Sequence, residues 1–280
     1  MKLLFGIAIV LVAFNSCKKE VKVDFADAEP TPVLNVLMNE DSLIDARLTF
    51  SRNKASSGFE GPASAKVCLY ENNIFKEELQ PGEKNGLKYY RSHTPVHKGK
   101  TYKVTAEVAG YPLVEGSDII PPLCKLSAPV LDQQVDNEGW EHTHIKFNLT
   151  DEAGQNNYYR FRLFSTDNQK LYFTSSNSGQ TNNVGGLVDD DEYFNAMFMN
   201  DVLFADKSME IVLSFTGTGD SVLLEVTSLT EPSYKYLKSI QDAENLNGNV
   251  LTEPFPIYTN ITNGLGIVGG ISVKRLRVTK

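Results

Sequence analysis

The sequence predicts a mainly β protein built as two sandwich-like domains. Three observations carry that expectation. Apolar and polar residues alternate in short segments, turn clusters separate those segments roughly every 8–12 residues, and the aromatics are β-favouring. Twelve tyrosines and fifteen phenylalanines stand against one tryptophan. Alternation with period two buries one face of a strand and wets the other. With 280 residues, 41% hydrophobic and 22% charged, the chain is long enough for two cores and too apolar to stay disordered.

The first seventeen residues are MKLLFGIAIVLVAFNSC. Lys2 precedes an apolar run, Leu3–Phe14. A bilayer span needs ~20 apolar residues, so this run has the length of a signal-peptide core and not of a stable anchor. Ser16 stands before Cys17, and Lys18-Lys19-Glu20 follow at once. That order resembles a bacterial lipoprotein signal. The resemblance implies a leader over 1–16 and lipidation of Cys17. Acyl chains there would hold the protein on a membrane. Residues 18–32, KKEVKVDFADAEPTP, are charged and then proline-bearing, so 17–32 reads as a lipid-anchored tether. Loss of Lys2 with the leader takes the net charge from −8 to −9. An acidic body lacks the basic face that nucleic acid requires, and that class of partner is excluded.

Residues 33–122 read as an immunoglobulin- or fibronectin-like domain. Val33–Met38 and Leu43–Ser51 are the first strands. Ala65–Glu71 and Ile74–Leu79 form a hairpin across Asn72-Asn73, a pair that tolerates positive φ. Leu87–Arg91 follows, then Thr101–Ala109 after Lys98-Gly99-Lys100, with Tyr102, Val104, Ala106 and Val108 on one face. Gly110 leads into Tyr111–Ser117, and Pro121-Pro122 closes the domain because proline cannot donate into a central ladder.

Residues 126–280 read as a second β-sandwich with one or two inserted helices. The strands are Trp140–Asp151, Tyr158–Ser165, Lys170–Ser175, Met209–Thr216, Ser221–Leu229 and Gly270–Val278. Gly217-Thr218-Gly219-Asp220 reads as a hairpin turn between two of them. Glu192–Met199 is a short helix candidate. Glu231–Asn245 is a stronger one, with Thr230 as N-cap, Pro232 in the first turn, and Tyr236, Leu237 and Ile240 on one face. Residues 247–270, with five glycines and two prolines, read as loop.

Several segments then resemble a known family. The C-terminal run contains a strand, a helix with Tyr234, Tyr236 and Leu237, the pair Glu253-Pro254, and Asn260 to Gly270 as NITNGLGIVGG. Together with the first strand after the tether, the hairpin, the Gly-Lys-x-Tyr strand at 99–102 and Pro121-Pro122, these resemble the domain-of-unknown-function 4249 lipoproteins of Bacteroidota. The resemblance implies an outer-membrane lipoprotein associated with TonB-dependent transporters or related barrels. It implies no established activity.

The chemical motifs are weak. Gly219-Asp220-Ser221 looks like an esterase motif, but no histidine follows His144. Ser51 and Lys54 fit Ser-x-x-Lys without its companion motifs. Gly99-Lys100-Thr101 lacks the first glycine of a phosphate loop and precedes a strand. The reading is therefore a non-enzyme without cofactor. His142 and His144 share one strand face and, with Trp140, could form a contact surface for a partner or ligand. Ile261, Leu265 and Ile267 are too apolar for a freely solvated loop and are candidate partner contacts as well. Asp189, Asp190, Asp191 and Glu192 could hold calcium but suit a solvated acidic stretch better. Cys68 and Cys124 could close one disulfide, but two buried free thiols are the preferred reading. The expected function is an accessory subunit of an outer-membrane β-barrel, on the cell surface or the periplasmic face. The alternative is a stand-alone glycan- or peptide-binding module.

Overall fold

The computed structural model describes residues 29–51, 61–84, 86–135, 139, 141–150, 154–175, 195–201, 208–216, 220–246 and 255–280. The strands in chain order are β1 Pro32–Asn39, β2 Asp45–Phe50, β3 Ala65–Glu71, β4 Ile74–Glu78, β5 Gln80–Lys84, β6 Leu87–Arg91, β7 Thr101–Val108, β8 Val114–Ile119 and β9 Lys125–Leu126. They continue as β10 Val130–Val135, β11 Glu141–Thr150, β12 Tyr158–Phe164, β13 Lys170–Leu171, β14 Thr174–Ser175, β15 Met197–Asn200, β16 Ser208–Thr216 and β17 Ser221–Leu229. Helix α1, Glu231–Leu246, precedes the last strand, β18 Leu265–Thr279.

These strands make three sheets. The largest runs β13-β12-β17-β18-β1-β2-β6-β5, with β15 beside β12. Two smaller ones run β10-β11-β16-β14, with β9 beside β11, and β4-β3-β7-β8. Alternation explains which faces meet. Leu34, Val36 and Met38 of β1 and Ala46 and Leu48 of β2 share a core with Val67 and Leu69 of β3 and Tyr102, Val104 and Ala106 of β7. A second core joins Ile145, Phe147 and Leu149 of β11 and Ile211 and Leu213 of β16 to Phe161 and Leu163 of β12 and Leu224 and Val226 of β17. Each core is two facing sheets filled by their inward residues.

Local chemistry sets the turns. Asn72 and Asn73 both take positive φ (50° and 66°), as a two-residue hairpin between β3 and β4 requires. Pro81 sits in β5 at the end of the largest sheet, where its missing N–H costs no ladder bond. Thr230 caps α1 by accepting the Ser233 N–H at 3.3 Å.

Four sequence expectations change. First, Leu265–Gly270 is not loop but the start of β18, paired in parallel with β1 from Val33↔Leu265 to Asn39↔Ile271. Its glycines serve close approach: a Cβ on Gly270 would overlap the Ile119 carbonyl, and one on Gly266, at φ +107°, would overlap that of Leu34. Second, residues 217–219 of the expected hairpin turn lie outside the described residues, and the strands on either side of them are not paired neighbours. β16 pairs with β11 and β14, while β17 pairs with β12 and β18, so the chain crosses from one layer to the other. Both strands have apolar inward faces, and burying both against each other across the core outweighs the turn's preference for a hairpin. Third, Met197–Asn200 is strand, paired with Tyr158–Phe161, where the helix candidate 192–199 was expected. Fourth, the division near residue 122 does not separate the cores cleanly. Ile261 and Val268 pack in the first core with Leu34 and Val114.

Strand β18 is the reason. Its first half pairs with β1 and its second half, from Ile271, pairs antiparallel with β17. One fifteen-residue strand therefore belongs to both sandwiches. Asp118, at the end of β8, ties the junction. Its carboxylate accepts the Gly270 N–H at 2.9 Å and the Thr230 hydroxyl, and burial pushes its pKa up despite those bonds.

Candidate functional site

The parallel register of β1 and β18 brings distant segments to one end of the molecule. Chain entry at Pro32 lies opposite Phe50, and Val33 lies opposite Leu265. Phe50 and Tyr111 are in ring contact at 5.3 Å. The segment before β18 is pinned there by polar side chains. The Asn260 amide donates to the Val268 carbonyl at 2.8 Å and accepts the Val268 N–H at 3.0 Å, as a strand neighbour would. Asn263 at φ 57° donates to the Leu113 carbonyl at 2.9 Å, and Thr262 bridges Glu115. Leu113 (44% exposed) and Leu265 (41% exposed) remain on the surface of this end. An open depression of about 520 Å³ adjoins it, lined in part by Lys66, Glu107, Tyr111 and Leu113. Of the three apolar contact candidates, only Leu265 is a surface residue. Ile261 and Ile267 are buried within this chain: Ile267 lies in the part of β18 that pairs with β1, and Ile261 packs in the first core with Val114 and Val268.

The tyrosines of the helix motif are structural. Tyr234 packs between Tyr158 and Phe198, at 5.0 and 5.9 Å, and burial pushes its pKa up to about 12. Tyr236 donates its hydroxyl to the Asn35 side chain at 2.8 Å, joining α1 to β1.

His142 and His144 lie on the outward face of β11, half-buried, with ring centroids 6.5 Å apart. Cross-strand register places Asp132, His144, Ser214 and Thr174 in one row over β10, β11, β16 and β14. His144 Nδ1 and Ser214 Oγ are 2.7 Å apart. Burial, with the Lys146 charge behind it, holds the His144 pKa below its usual value. A serine and a neutral imidazole in contact are two parts of an acyl-transfer site. The third part is a pair of free N–H donors for an oxyanion. Backbone N–H groups along these central strands are engaged in the ladder, so the pair reads as a cross-strand contact. Trp140, Cys17, and Asp189, Asp190, Asp191 and Glu192 lie outside the described residues. Among the described residues no group of three or more His, Cys, Asp or Glu is placed to hold a metal.

Of the two readings of the cysteine pair, the buried free thiols hold and the disulfide does not. Cys68 and Cys124 are both buried and free. Cys68 sits on β3 between Thr105 and Glu78, while Cys124 packs in the other core with its N–H on Ser228 Oγ at 2.9 Å. Burial pushes both thiol pKa values up, which disfavours the reactive thiolate.

The sequence reading missed one constellation. On the outward face of β12, β17 and β18, register aligns Arg162, Glu225 and Arg275. Glu225 is 1% exposed. Its Oε1 accepts Arg162 Nε at 2.7 Å, and its Oε2 accepts Arg275 Nε at 2.7 Å. Arg160 Nη2 lies 3.5 Å from Oε1. Arg162 and Arg275 also lie over the Phe164 ring, at 5.3 and 5.1 Å. Burial alone would raise the Glu225 pKa, but the Arg162 and Arg275 hydrogen bonds, with the charges of Arg162 and Arg160, prevail and hold it below its ordinary value. Burial and the Arg162 charge lower Arg160 to about 10. The available signal was a glutamate inside the apolar run Leu223–Leu229, with Arg160-x-Arg162 and Arg275-x-Arg277 alternating on other strands.

No curated protein matches the chain. A family model described as a domain of unknown function, DUF4249, matches residues 18–277. That span takes in both sandwiches, the helix and the glycine-bearing start of β18, and the chain belongs to the DUF4249 family.

Proposed function

We propose that the protein is a non-enzymatic lipoprotein of the outer membrane, anchored through Cys17 and exposed on the cell surface. It acts as an accessory subunit of an outer-membrane β-barrel of the TonB-dependent transporter type. The observation that carries this reading is a coincidence of position. The chain enters β1 at the end of the molecule where Leu113 and Leu265 are exposed beside Phe50 and Tyr111. A tether from Cys17 to Thr31, at ~3.3–3.6 Å per residue, holds that end within roughly 50 Å of its anchor. Exposed apolar side chains facing a membrane-embedded barrel have a use that they lack on a solvated surface.

The test is crosslinking and affinity recovery of the full chain from detergent-solubilised outer membrane, with mass spectrometry of the partners. A stoichiometric β-barrel is expected, and the double variant Leu113→Glu, Leu265→Glu should release it while the lipoprotein stays membrane-bound. Recovery of the chain alone overturns the accessory role and leaves a stand-alone glycan- or peptide-binding module. Recovery from the soluble fraction overturns the anchor.

A further inference from the structure

Independently of the partner proposed above, the arginine-bearing face has a charge imbalance that the described residues do not resolve. Arg160, Arg162 and Arg275 surround one carboxylate, Glu225, which leaves two positive charges in excess. Arg160 keeps 12% of its side chain exposed, and its Nε is buried with no hydrogen-bond partner among the described residues. Its Nη2 is partnered, donating to Thr227 Oγ1 at 3.4 Å and facing Glu225, so the unmet group is the Nε edge, and a guanidinium edge short of a partner away from water is costly. The group is also held in position. Glu225 fixes the Nε edges of Arg162 and Arg275, and Phe164 lies beneath both guanidinium planes. Arg275 is half exposed, so the cluster opens to solvent on that side.

We infer that Arg160, Arg162 and Arg275, oriented by Glu225 and Phe164, form a binding site for a dianionic oxyanion: the phosphate or sulfate group of a ligand. Two excess charges match a dianion. Guanidinium groups suit such a group because their planar N–H forks can hold two oxygens at once. The chemistry is shared by a free phosphate and by a phospholipid headgroup. Strand register creates the site, since the arginines come from β12 and β18 on either side of β17.

The test is calorimetric titration of the full chain in neutral detergent with inorganic phosphate and with sulfate, against chloride at equal ionic strength. Saturable phosphate binding that chloride does not reproduce is expected. Arg275→Gln, at a half-exposed position that leaves the core untouched, should weaken it about tenfold or more through loss of one charge-assisted contact. Water-soluble short-chain phosphatidic acid separates the sources. Affinity well above that of inorganic phosphate identifies a lipid headgroup, and equal affinity identifies a soluble ligand. No saturation by about 10 mM phosphate, weaker than any specific site worth the name, overturns the proposal. Unchanged affinity in Arg275→Gln overturns it as well.

Discussion

The two halves of β18 are one continuous strand in two different environments. Leu265–Ile271 runs parallel to β1, with α1 over one face and the first core under the other. Gly266 and Gly270 lie where other backbone crowds the strand, so its sequence is small and apolar. Ile271–Thr279 runs antiparallel to β17 with a single covered face. There the sequence alternates, with Ser272 and Val278 buried and Arg275 and Arg277 outward. Cover on both faces removes alternation, and cover on one restores it. The first half welds the molecule, and the second offers a charged face to the surroundings.

The largest effect expected from this contrast is at the weld. Gly270→Ala drives a Cβ into the Ile119 carbonyl, and backbone against backbone cannot yield as a side-chain tip can. A loss of more than about 4 kcal/mol in urea unfolding, or failure to fold, is expected. A variant of wild-type stability would mean that the two halves are not held as described.

Next comes the buried charge of the open half. Glu225→Leu leaves three arginines without their carboxylate and should cost about 3–5 kcal/mol. The milder Glu225→Gln gives a pH signature. Because the folded pKa of Glu225 lies below its ordinary 4.5, its contribution is complete at neutral pH. It is lost as the pH falls below that value and through the folded pKa. Acid unfolding curves of the wild type should show this component and those of Glu225→Gln should lack it; parallel curves would remove Glu225 from the ledger.

Smaller is the helix cap above the weld. Thr230→Ala removes the acceptor for the Ser233 N–H and a hydroxyl donated to half-buried Asp118. About 1–2 kcal/mol is expected by thermal denaturation. The smallest effect belongs to Arg277→Ala, on the exposed end of the second half. Its contact is a 3.3 Å bond to Ser221, and stability should stay within about 0.5 kcal/mol. A larger change there would show that the outer face is more tightly coupled than its exposure implies.

Much of the candidate surface was hidden in the sequence for related reasons. Leu265 stood out as apolar, but so did Ile261 and Ile267, and nothing local separates the one that stays outside. The row Asp132–His144–Ser214 is completed only by β16, whose Ser214 lies 70 residues beyond His144 in the chain. Glu225 and its arginines are separated by 50 to 65 residues, and only register gathers them.

The sequence by itself determined what depends on neighbours along the chain. Alternation marked β3, β7 and β11 as half-buried strands, Asn72-Asn73 set a hairpin, and Thr230 with Pro232 started a helix. These features are settled by φ preferences and by hydrogen bonds reaching two or three residues. Tertiary structure alone decided partners. A period of two tells which face of a strand is buried but not what it is buried against. So the parallel union of β1 with β18, the crossing from β16 to β17 and the strand character of Leu265–Gly270 rest on contacts across the whole chain. The glycines that read locally as loop are needed because another backbone passes there, a fact that only the folded chain contains.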